Sequence, residues 1–197
     1  MEETVNLKIV VCGLDGVGKQ SLIQRFVADN FDTTSRDPSA PSDCLTKKVD
    51  IDGQSVQCVV WRKNEGESRF RSIGGHSLRN ADLAFILVDV RKEDSLQTAP
   101  LFHRMVINEG PAGIKAVMVG TCIDDKFDRK VTKRSAEEMA GGMGIPYREV
   151  SSKDGIGVND LFLDFMRLVL TDPVRQRLKR GAVQVNLRSN SAQPSCC

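Results

Sequence analysis

The sequence predicts an α/β protein with a mostly parallel, doubly wound sheet that carries one antiparallel hairpin at its edge. Buried strand patterns alternate with helical patterns along most of the chain, which is typical of parallel strands joined by helices. An Asp52-Gly53 turn separates two alternating strands, which indicates the hairpin. A glycine-rich loop follows the first strand, at the carboxyl end where sheets of this kind bind their ligands.

The first half of the chain supplies three strands, one helix and a loop. The apolar run VNLKIVVC is typical of a buried strand, and SLIQRF continues a helix after the glycine loop. The hairpin strands alternate so that Val56, Cys58 and Val60 share one face. In order, the predicted elements are a strand at 5–12, a helix at 22–27, a polar loop with two prolines at 30–43, and strands at 45–52 and 54–61.

The second half alternates more regularly. Its first part is rich in charge and glycine, which predicts a mobile loop that runs into a short helix. A capping box starts one helix at Ser135, although Thr132 is an equal candidate for its start. In order, the predicted elements are the mobile loop at 62–75, a strand at 83–90, a helix at 94–108, a strand at 115–120, a helix that ends at 141–142, a strand at 147–150 and a helix at 159–170.

Composition divides the chain into one domain, residues 1–170, and a flexible basic tail, residues 171–197. The net charge of +2 is the sum of +4 in the tail and −2 in the rest, which argues against a core that binds nucleic acid. A solvated tail and a tail that faces anionic lipid both fit this charge. We see no secretory signal and no apolar run of transmembrane length, so we expect a protein of the cytosolic compartment with reduced cysteines.

The six cysteines form two sets. Cys12, Cys44, Cys58 and Cys122 lie singly, without zinc-ligand spacing, and are interpreted as buried, inert thiols. The remaining two, Cys196 and Cys197, end a polar tail in which a packing role is hard to assign.

The stretch GLDGVGKQS resembles a phosphate-binding loop, which reads GxxxxGK followed by Ser or Thr. A bare turn between strand and helix is the alternative, but the placement after VVC and before SLIQRF favours phosphate binding. Lys19 would reach the β and γ phosphates. The predicted phosphate-binding residues in this stretch are Gly13, Asp15, Gly16, Val17, Gly18, Lys19, Gln20 and Ser21.

Two further segments follow strands and predict a base site. In VGTCIDD, Asp124 can accept both N–H donors of the guanine edge, whereas its alternative role is a turn or cap residue. In EVSSKDG, backbone N–H groups and Lys153 would reach the same base, and an ordinary polar loop is the alternative. The predicted guanine-binding residues are Thr121, Cys122, Asp124, Ser151, Ser152 and Lys153.

Together these motifs resemble a Rab-type small GTPase of the Ras superfamily over residues 7–170 and in the tail. The resemblance is carried by GLDGVGK, the hairpin that ends in Trp61, SRFRSI, LRNADLAFILVDV, TCID in place of NKxD, VSSK in place of TSAK, and the terminal CC. It implies a P-loop small G domain with six strands, five helices on both faces of the sheet, bound GTP or GDP, and two switch loops at about 30–43 and 62–75.

The resemblance also implies partners and a location. It implies effectors that bind the switch loops, prenylation of Cys196 and Cys197, and contacts with the prenylation machinery and a membrane-extraction chaperone. Two lipid chains anchor a protein stably where one does not. We therefore expect the cytoplasmic face of an internal membrane, in the endomembrane, Golgi or endosomal system, with a cytosolic pool.

Departures from the family pattern fall on the metal and hydrolysis motifs. Gln20 replaces the hydroxyl that ligates Mg²⁺, and Ser39 takes the place of the second metal-binding hydroxyl. WRKNEGES stands where the family has WDTAGQE, so that the acidic residue becomes Arg62 or Lys63. Anchored on RFRS, Gly66 matches the phosphate-binding glycine and Glu67 takes the catalytic glutamine position, where a carboxylate repels the γ phosphate.

These departures predict a degraded Mg²⁺ site and slow or absent hydrolysis. Because Arg62 or Lys63 brings a positive charge to the metal's neighbourhood, we expect a side chain to replace the cation and nucleotide binding to tolerate the loss of magnesium. Thr121 replaces the Asn that ties the loops of the family site together, and Cys122 replaces the Lys whose stem covers the purine. We expect both contacts to be lost, which predicts a lower affinity for guanine.

Three functions fit these residues. The first is a prenylated Rab-like protein that binds guanine nucleotide and acts in vesicle traffic, with weak or partner-dependent hydrolysis. The second is a membrane-anchored pseudo-GTPase that stays in one nucleotide state, or holds none, and binds effectors. The third, an unrelated P-loop ATPase or kinase, conflicts with the terminal CC and with the lack of an acidic strand end after VVW.

Overall fold

The computed structural model describes residues 4–31, 44–63 and 77–173. Its strands and helices alternate in the order that the apolar runs predict. The strands are β1 (Val5–Cys12), β2 (Cys44–Ile51), β3 (Gln54–Arg62), β4 (Leu83–Asp89), β5 (Lys115–Thr121) and β6 (Tyr147–Glu149). The helices are α1 (Lys19–Ala28), α2 (Glu93–Glu109), α3 (Lys133–Gly142) and α4 (Val158–Thr171).

The six strands form one sheet in the order β2-β3-β1-β4-β5-β6. Only the β2–β3 pair is antiparallel in this sheet of described strands, and the other pairs are parallel. Asp52 and Gly53 turn the hairpin with φ angles of 53° and 80°, values that favour Asn, Asp and Gly. The predicted six-stranded, mostly parallel sheet with an antiparallel edge is confirmed.

Two apolar layers cover the two faces of the sheet. Alternate residues of β1 divide between them, because Leu7, Ile9 and Val11 join one cluster whereas Val10 and Cys12 join the other. The first cluster contains the inner faces of α1 and α4, and the second those of α2 and α3. Each face of the sheet is therefore buried by a pair of helices, as predicted.

Aromatic stacking joins the two helices of the first layer. The rings of Phe26 on α1 and Phe162 on α4 are parallel with centroids 3.7 Å apart, and Phe85 on β4 meets Phe162 edge to face at 4.9 Å. The helix that starts at the glycine loop is thereby fixed to the domain by its far end.

Helix boundaries differ from the prediction in a few places. α1 begins directly at Lys19, earlier than the apolar pattern indicates. Of the two candidate starts of α3, Thr132 is the N-cap, since its side chain accepts a hydrogen bond from the backbone N–H of Ser135. The described residues contain four of the five expected helices, and the short helix expected near the end of 62–75 lies outside them.

The prediction of four buried, inert cysteines is half correct. Cys12 and Cys58 are buried, and burial raises the pKa of each thiol to about 12. Cys44 and Cys122 are only half-buried, because one begins the edge strand β2 and the other lies in the loop after β5. Within the described ranges, no helix is long and apolar enough to cross a membrane.

Candidate nucleotide-binding site

Three loops meet at the carboxyl edge of the sheet. Residues 13–18 follow β1, residues 122–125 follow β5, and residues 150–153 follow β6. Because β1, β4, β5 and β6 are neighbours in the sheet, all three loops open on the same side. The predicted convergence of the phosphate and base segments is confirmed as a placement in the fold.

Glycines allow the first loop to wrap tightly. Gly16 and Gly18 have φ angles of 78° and 91°, which disfavour other residues. At Gly13, a Cβ atom would lie 2.7 Å from the carbonyl oxygen of Leu87 on β4, so only glycine fits there. Gly18 then caps α1, whose first four backbone N–H groups have no partner within the helix. These groups and the helix dipole form an anion site at Gly18, Lys19, Gln20 and Ser21.

Lys19 lies inside this loop and is only 5% exposed. Its ammonium group donates hydrogen bonds to the carbonyl oxygens of Gly13 at 2.8 Å and Leu14 at 2.9 Å, and it lies 3.3 Å from Oδ1 of Asp15. The Asp15 side chain is 73% exposed, so this carboxylate contact is the weakest of the three. A phosphate group can therefore displace Asp15 while the two carbonyls keep the ammonium in place.

The two metal-site departures of the described chain contact each other. Gln20 is the second residue of α1 and Arg62 is the last residue of β3, next to Val11 of β1. Arg62 Nη1 donates a hydrogen bond to Oε1 of Gln20 at 2.6 Å. The side-chain oxygen at the P-loop position thus accepts from a guanidinium group, which carries a full positive charge.

The following residue, Lys63, is buried, with 5% exposure. Its backbone N–H continues the pairing with β1 by donating to the Val11 carbonyl at 2.9 Å. Its ammonium group forms an ion pair with Glu109 at the end of α2, 3.0 Å away. Lys63, the second residue of the predicted switch loop at 62–75, is therefore fixed to both β1 and α2.

Thr121 ties the loop after β5 to the phosphate loop, although it replaces the Asn of the family pattern. Its hydroxyl donates to the carbonyl oxygen of Val17 in the phosphate loop at 2.8 Å, and it lies 3.2 Å from the carbonyl oxygen of Val88. A hydroxyl has one proton, so the shorter contact is the stronger bond. The expectation that replacing Asn by Thr removes this link is wrong, because a β-hydroxyl on the last residue of β5 reaches the same loop.

Asp124 and the loop after β6 form the base end of the site. Ser151 donates a hydrogen bond from its hydroxyl to Oδ1 of Asp124 at 3.1 Å, and the Lys153 ammonium lies 3.9 Å from Oδ2. The Ser151 hydroxyl in turn accepts from the backbone N–H of Asp154 at 3.0 Å. The carboxylate is thus held in one orientation with 19% exposure, as a group that reads a base edge requires.

Arg25 links the phosphate end to the base end. It lies on α1, and its guanidinium donates to the carbonyl oxygens of Ser152 at 2.7 Å and Lys153 at 2.8 Å. Arg25 is not among the predicted site residues, because a charged residue on a helix face carries no local signal for a partner 127 residues away. Its effect is to fix the 151–153 loop on the helix that begins at the phosphate loop.

A second missed group follows β4. Arg91 binds the carboxylate of Asp89 with two hydrogen bonds, from Nε at 3.0 Å and Nη2 at 2.9 Å, and its Nη2 also lies 3.3 Å from Sγ of Cys122. Asp89 has no solvent exposure. Burial raises the pKa of Asp89, but the hydrogen bonds and charge of Arg91 outweigh it and lower the pKa overall. The basic pair Arg91-Lys92 at the end of a central strand was the available signal.

Several predicted site residues lie outside the described ranges. These are the metal candidate Ser39, the phosphate-binding Gly66, the catalytic candidate Glu67, and the lipid-attachment residues Cys196 and Cys197. In the part of the chain that the structure describes, no group of three or more His, Cys, Asp or Glu residues is placed to hold a metal ion.

Comparisons with known proteins agree with this geometry. The family model described as "Ras family" matches residues 8–171. The chain is 29% identical over 193 residues to Ras-related protein Rab-22A of Homo sapiens, and the match covers 97% of both chains. It is 32% identical over 195 residues to GTP-binding protein ypt5 of Schizosaccharomyces pombe, which covers 98% of this chain and 90% of the relative. It is 28% identical over 191 residues to Ras-related protein Rab-31 of Homo sapiens, with 97% of both chains covered.

Proposed function

The chain belongs to the Ras family as a Rab-type small GTPase, and from this premise we propose that it binds GTP and GDP and acts in vesicle-mediated membrane traffic. Family membership implies guanine nucleotide binding and usually Mg²⁺. The name of one relative, GTP-binding protein ypt5, supports guanine nucleotide as the ligand. The role in traffic rests on the Rab relationship.

The observation that carries the proposal is the joint placement of Lys19 and Asp124. The lysine lies within a loop whose backbone N–H groups form an anion site, and the aspartate is oriented by Ser151 at the neighbouring strand end. Thr121 ties the two loops by its bond to Val17. A ligand that joins phosphates to a base with two adjacent N–H donors, as guanine nucleotides do, fits both ends.

The described side chains do not fit a magnesium ion, and we propose that nucleotide binding here tolerates its absence. Mg²⁺ requires short oxygen contacts in near-octahedral geometry. The Gln20 oxygen already accepts from Arg62 at 2.6 Å, and the guanidinium charge repels a second cation. Because an arginine cation neutralises phosphate oxygens, Arg62 can supply the positive charge that the metal supplies elsewhere.

The same residues support weak or partner-dependent hydrolysis. In the family pattern an acidic residue at the end of β3 orients metal-bound water, and a glutamine beyond it positions the water that attacks the γ phosphate. Arg62 or Lys63 stands at the first position and Glu67 aligns with the second. A cation thus replaces the acidic residue and an anion replaces the neutral amide, so neither group can orient its water in the usual way.

The proposed address is the cytoplasmic face of an endosomal or other internal membrane, with a cytosolic pool. Prenyl chains on Cys196 and Cys197 would supply two hydrophobic anchors, which hold a protein stably at a bilayer. The tail arginines and lysines add attraction to anionic lipid, at about 1 kcal/mol for each one near the surface. Prenylation enzymes and a lipid-binding extraction chaperone are the partners that this chemistry requires.

One observation favours the second candidate, a pseudo-GTPase that stays in one state. Lys63 is fixed by an ion pair to Glu109 on α2 and by its backbone bond to Val11. The start of the second predicted switch loop is therefore held by contacts that involve no phosphate. In this alternative the protein recruits effectors through one permanent conformation, and its lipids alone set its location.

The first experiment identifies the bound nucleotide. The full-length chain is purified without lipid, denatured, and its released small molecules are separated, and then GTP, GDP and ATP are titrated with Mg²⁺ and with EDTA. We expect guanine nucleotide in the purified protein and a preference for GDP and GTP over ATP. The Lys19→Ala variant is the control that should lose this binding. A chain that releases nothing and binds no guanine nucleotide would contradict the proposal.

A second measurement separates the two candidates. Single-turnover hydrolysis of bound GTP is followed with and without a membrane extract, beside Lys19→Ala as a blank. Slow turnover that the extract accelerates supports the switch. GTP that stays intact under both conditions supports the pseudo-GTPase, provided that binding itself is measured in the same samples.

A further inference from the structure

We propose that Arg91 covers one face of the guanine base, at the place where the Rab pattern has a lysine and this chain has Cys122. The inference rests on the proposed guanine-nucleotide function and deepens it. Arg91 would contact the base directly, since the side chain of Cys122 is too short to cover a purine.

The turn after β4 lies along the site from the phosphate end to the base end. β4 is placed between β1, which ends at the phosphate loop, and β5, which ends at the Asp124 loop. Lys92 reaches the phosphate side, because a Cβ atom on Gly16 would lie 3.6 Å from the Lys92 ammonium nitrogen. Arg91 reaches the base side. The two basic residues therefore lie along the gap between the phosphate and base loops.

The guanidinium of Arg91 occupies the surroundings of residue 122. Its Nη2 lies 3.3 Å from Sγ of Cys122, and its Nη1 lies 3.9 Å from a carboxylate oxygen of Asp125. Asp124, which reads the base edge in the proposed function, is between these two residues in the chain. The Arg91 guanidinium thus places a positive charge beside residue 122, where the family pattern has a lysine and this chain has a cysteine.

Asp89 fixes the orientation of this cation. The carboxylate is fully buried and binds the guanidinium through Nε and Nη2, and it also accepts from the backbone N–H of Arg91 at 3.0 Å. The N–H donors of a guanidinium lie in its plane, so hydrogen bonds from Nε and Nη2 leave its two faces for stacking. The Arg91 side chain keeps 35% exposure, which allows contact with a ligand.

A planar cation of this kind suits a purine. Arginine stacks on aromatic faces through both dispersion and cation–π attraction, and less ordering is needed when the plane is already fixed. The contact is with the base rather than the phosphates, so it should favour GDP and GTP by the same factor. A contact with the γ phosphate would instead favour GTP.

The test uses Asp89→Asn as its background, because Arg91→Ala alone would leave a buried carboxylate without its cation. In the full-length chain we expect Asp89→Asn/Arg91→Ala to bind GDP and GTP about tenfold more weakly than Asp89→Asn. Arg104→Ala, which removes an exposed arginine of α2, should leave both dissociation constants unchanged. Equal affinities of Asp89→Asn and the double variant would overturn the inference.

A rescue distinguishes covering the base from a structural role. Cys122→Lys restores the lysine of the family pattern. It is placed in the Asp89→Asn/Arg91→Ala background, where position 89 carries no carboxylate that would bind the new ammonium group. We expect it to recover most of the lost affinity there and to add little when Arg91 is present. Failure to recover it would count against the inference.

Arg91→Lys, which keeps the ion pair with Asp89 but has no planar group, provides a variant that should fold and bind several-fold more weakly. An unchanged affinity of Arg91→Lys would also overturn the inference.

The two proposals fail in different ways. If the unaltered chain binds no guanine nucleotide, the proposed function and this inference both fall. If it binds GDP and the Arg91 variants bind as well as their backgrounds, only the role of Arg91 is refuted.

Discussion

Arg62 and Gln20 form a hydrogen bond of 2.6 Å across the gap between β3 and α1. Each residue taken singly departs from what a magnesium site needs, since one is a cation and the other an amide. Taken together they satisfy each other, because the amide oxygen accepts what the guanidinium donates. The two substitutions therefore behave as one exchange of a metal-binding pair for a metal-free pair.

Reversing this exchange should restore magnesium dependence. We expect the Gln20→Ser/Arg62→Asp variant to release fluorescent GDP at least about tenfold faster in EDTA than in Mg²⁺, since two oxygen ligands then face the phosphates. The unaltered chain should release it at similar rates in both. The matched control is Gln20→Ser alone, in which Arg62 still repels the metal. A double variant as indifferent to EDTA as the unaltered chain would contradict the exchange.

Removing the carboxylate of Asp15 should strengthen nucleotide binding. Asp15 lies 3.3 Å from the Lys19 ammonium and competes with an incoming phosphate for it. We expect Asp15→Ser to lower the GDP dissociation constant by roughly two- to fivefold, the size of an exposed ion pair. Isothermal titration gives the constant. Asp29→Ser, which removes an exposed carboxylate at the opposite end of α1, serves as control. Weaker binding by Asp15→Ser would show that the carboxylate supports the loop.

Thr121 should matter for both stability and binding. Thr121→Val keeps the shape but removes the hydroxyl, which leaves the Val17 carbonyl without its donor. We expect a loss of about 1–2 kcal/mol in the free energy of unfolding, measured with urea, and a lower affinity for GDP. Thr121→Ser retains the hydroxyl and should keep most of both. If valine and serine had equal effects, the methyl group rather than the hydrogen bond would be the important feature.

The Asp89–Arg91 pair should make stability fall in acid. Arg91 holds the pKa of Asp89 below its ordinary value of 3.8 despite burial, which acts in the opposite direction. A lowered carboxylate pKa contributes stability that is fully present above 3.8 and is lost as the pH falls through the folded-state pKa.

Asp89→Asn removes this titration. We expect the free energy of unfolding of the unaltered chain to decrease more steeply than that of Asp89→Asn between about pH 5 and pH 2, by urea titration at each pH. Above about pH 5 the difference between the two should be constant. Parallel curves over the whole acid range would mean that Asp89 titrates equally in the folded and unfolded chain.

The fold was predictable because its signals are local. Buried runs such as VNLKIVVC define strands by themselves, and the Asp52-Gly53 turn defines the hairpin. The sequence does not distinguish two starts of α3, since both Thr132 and Ser135 can cap a helix, and the structure shows that Thr132 is the N-cap. The start of α1 at Lys19 could not be predicted from the apolar pattern, because a glycine N-cap with positive φ carries no periodic apolar signal.

The site was predictable only where a motif marks it. Lys19 and Asp124 were identified from their loops, and the structure places them at one edge of the sheet. Arg25 and Arg91 were not, because their partners lie in other loops and no spacing connects them. The residue type at position 121 predicts a lost contact between the loops, but the hydroxyl at the end of β5 still reaches the Val17 carbonyl.

The end of the described chain lies at the other edge of the sheet. Asp172, directly after α4, forms an ion pair with Lys115, the first residue of β5, whereas the candidate site lies where the strands end. If the proposed lipids are attached to Cys196 and Cys197, residues 173–197 leave the domain at the edge opposite the candidate site, so the point of attachment does not cover the site. Fully extended, that tether would span up to roughly 90 Å. The site would then be accessible to a partner some distance from the bilayer.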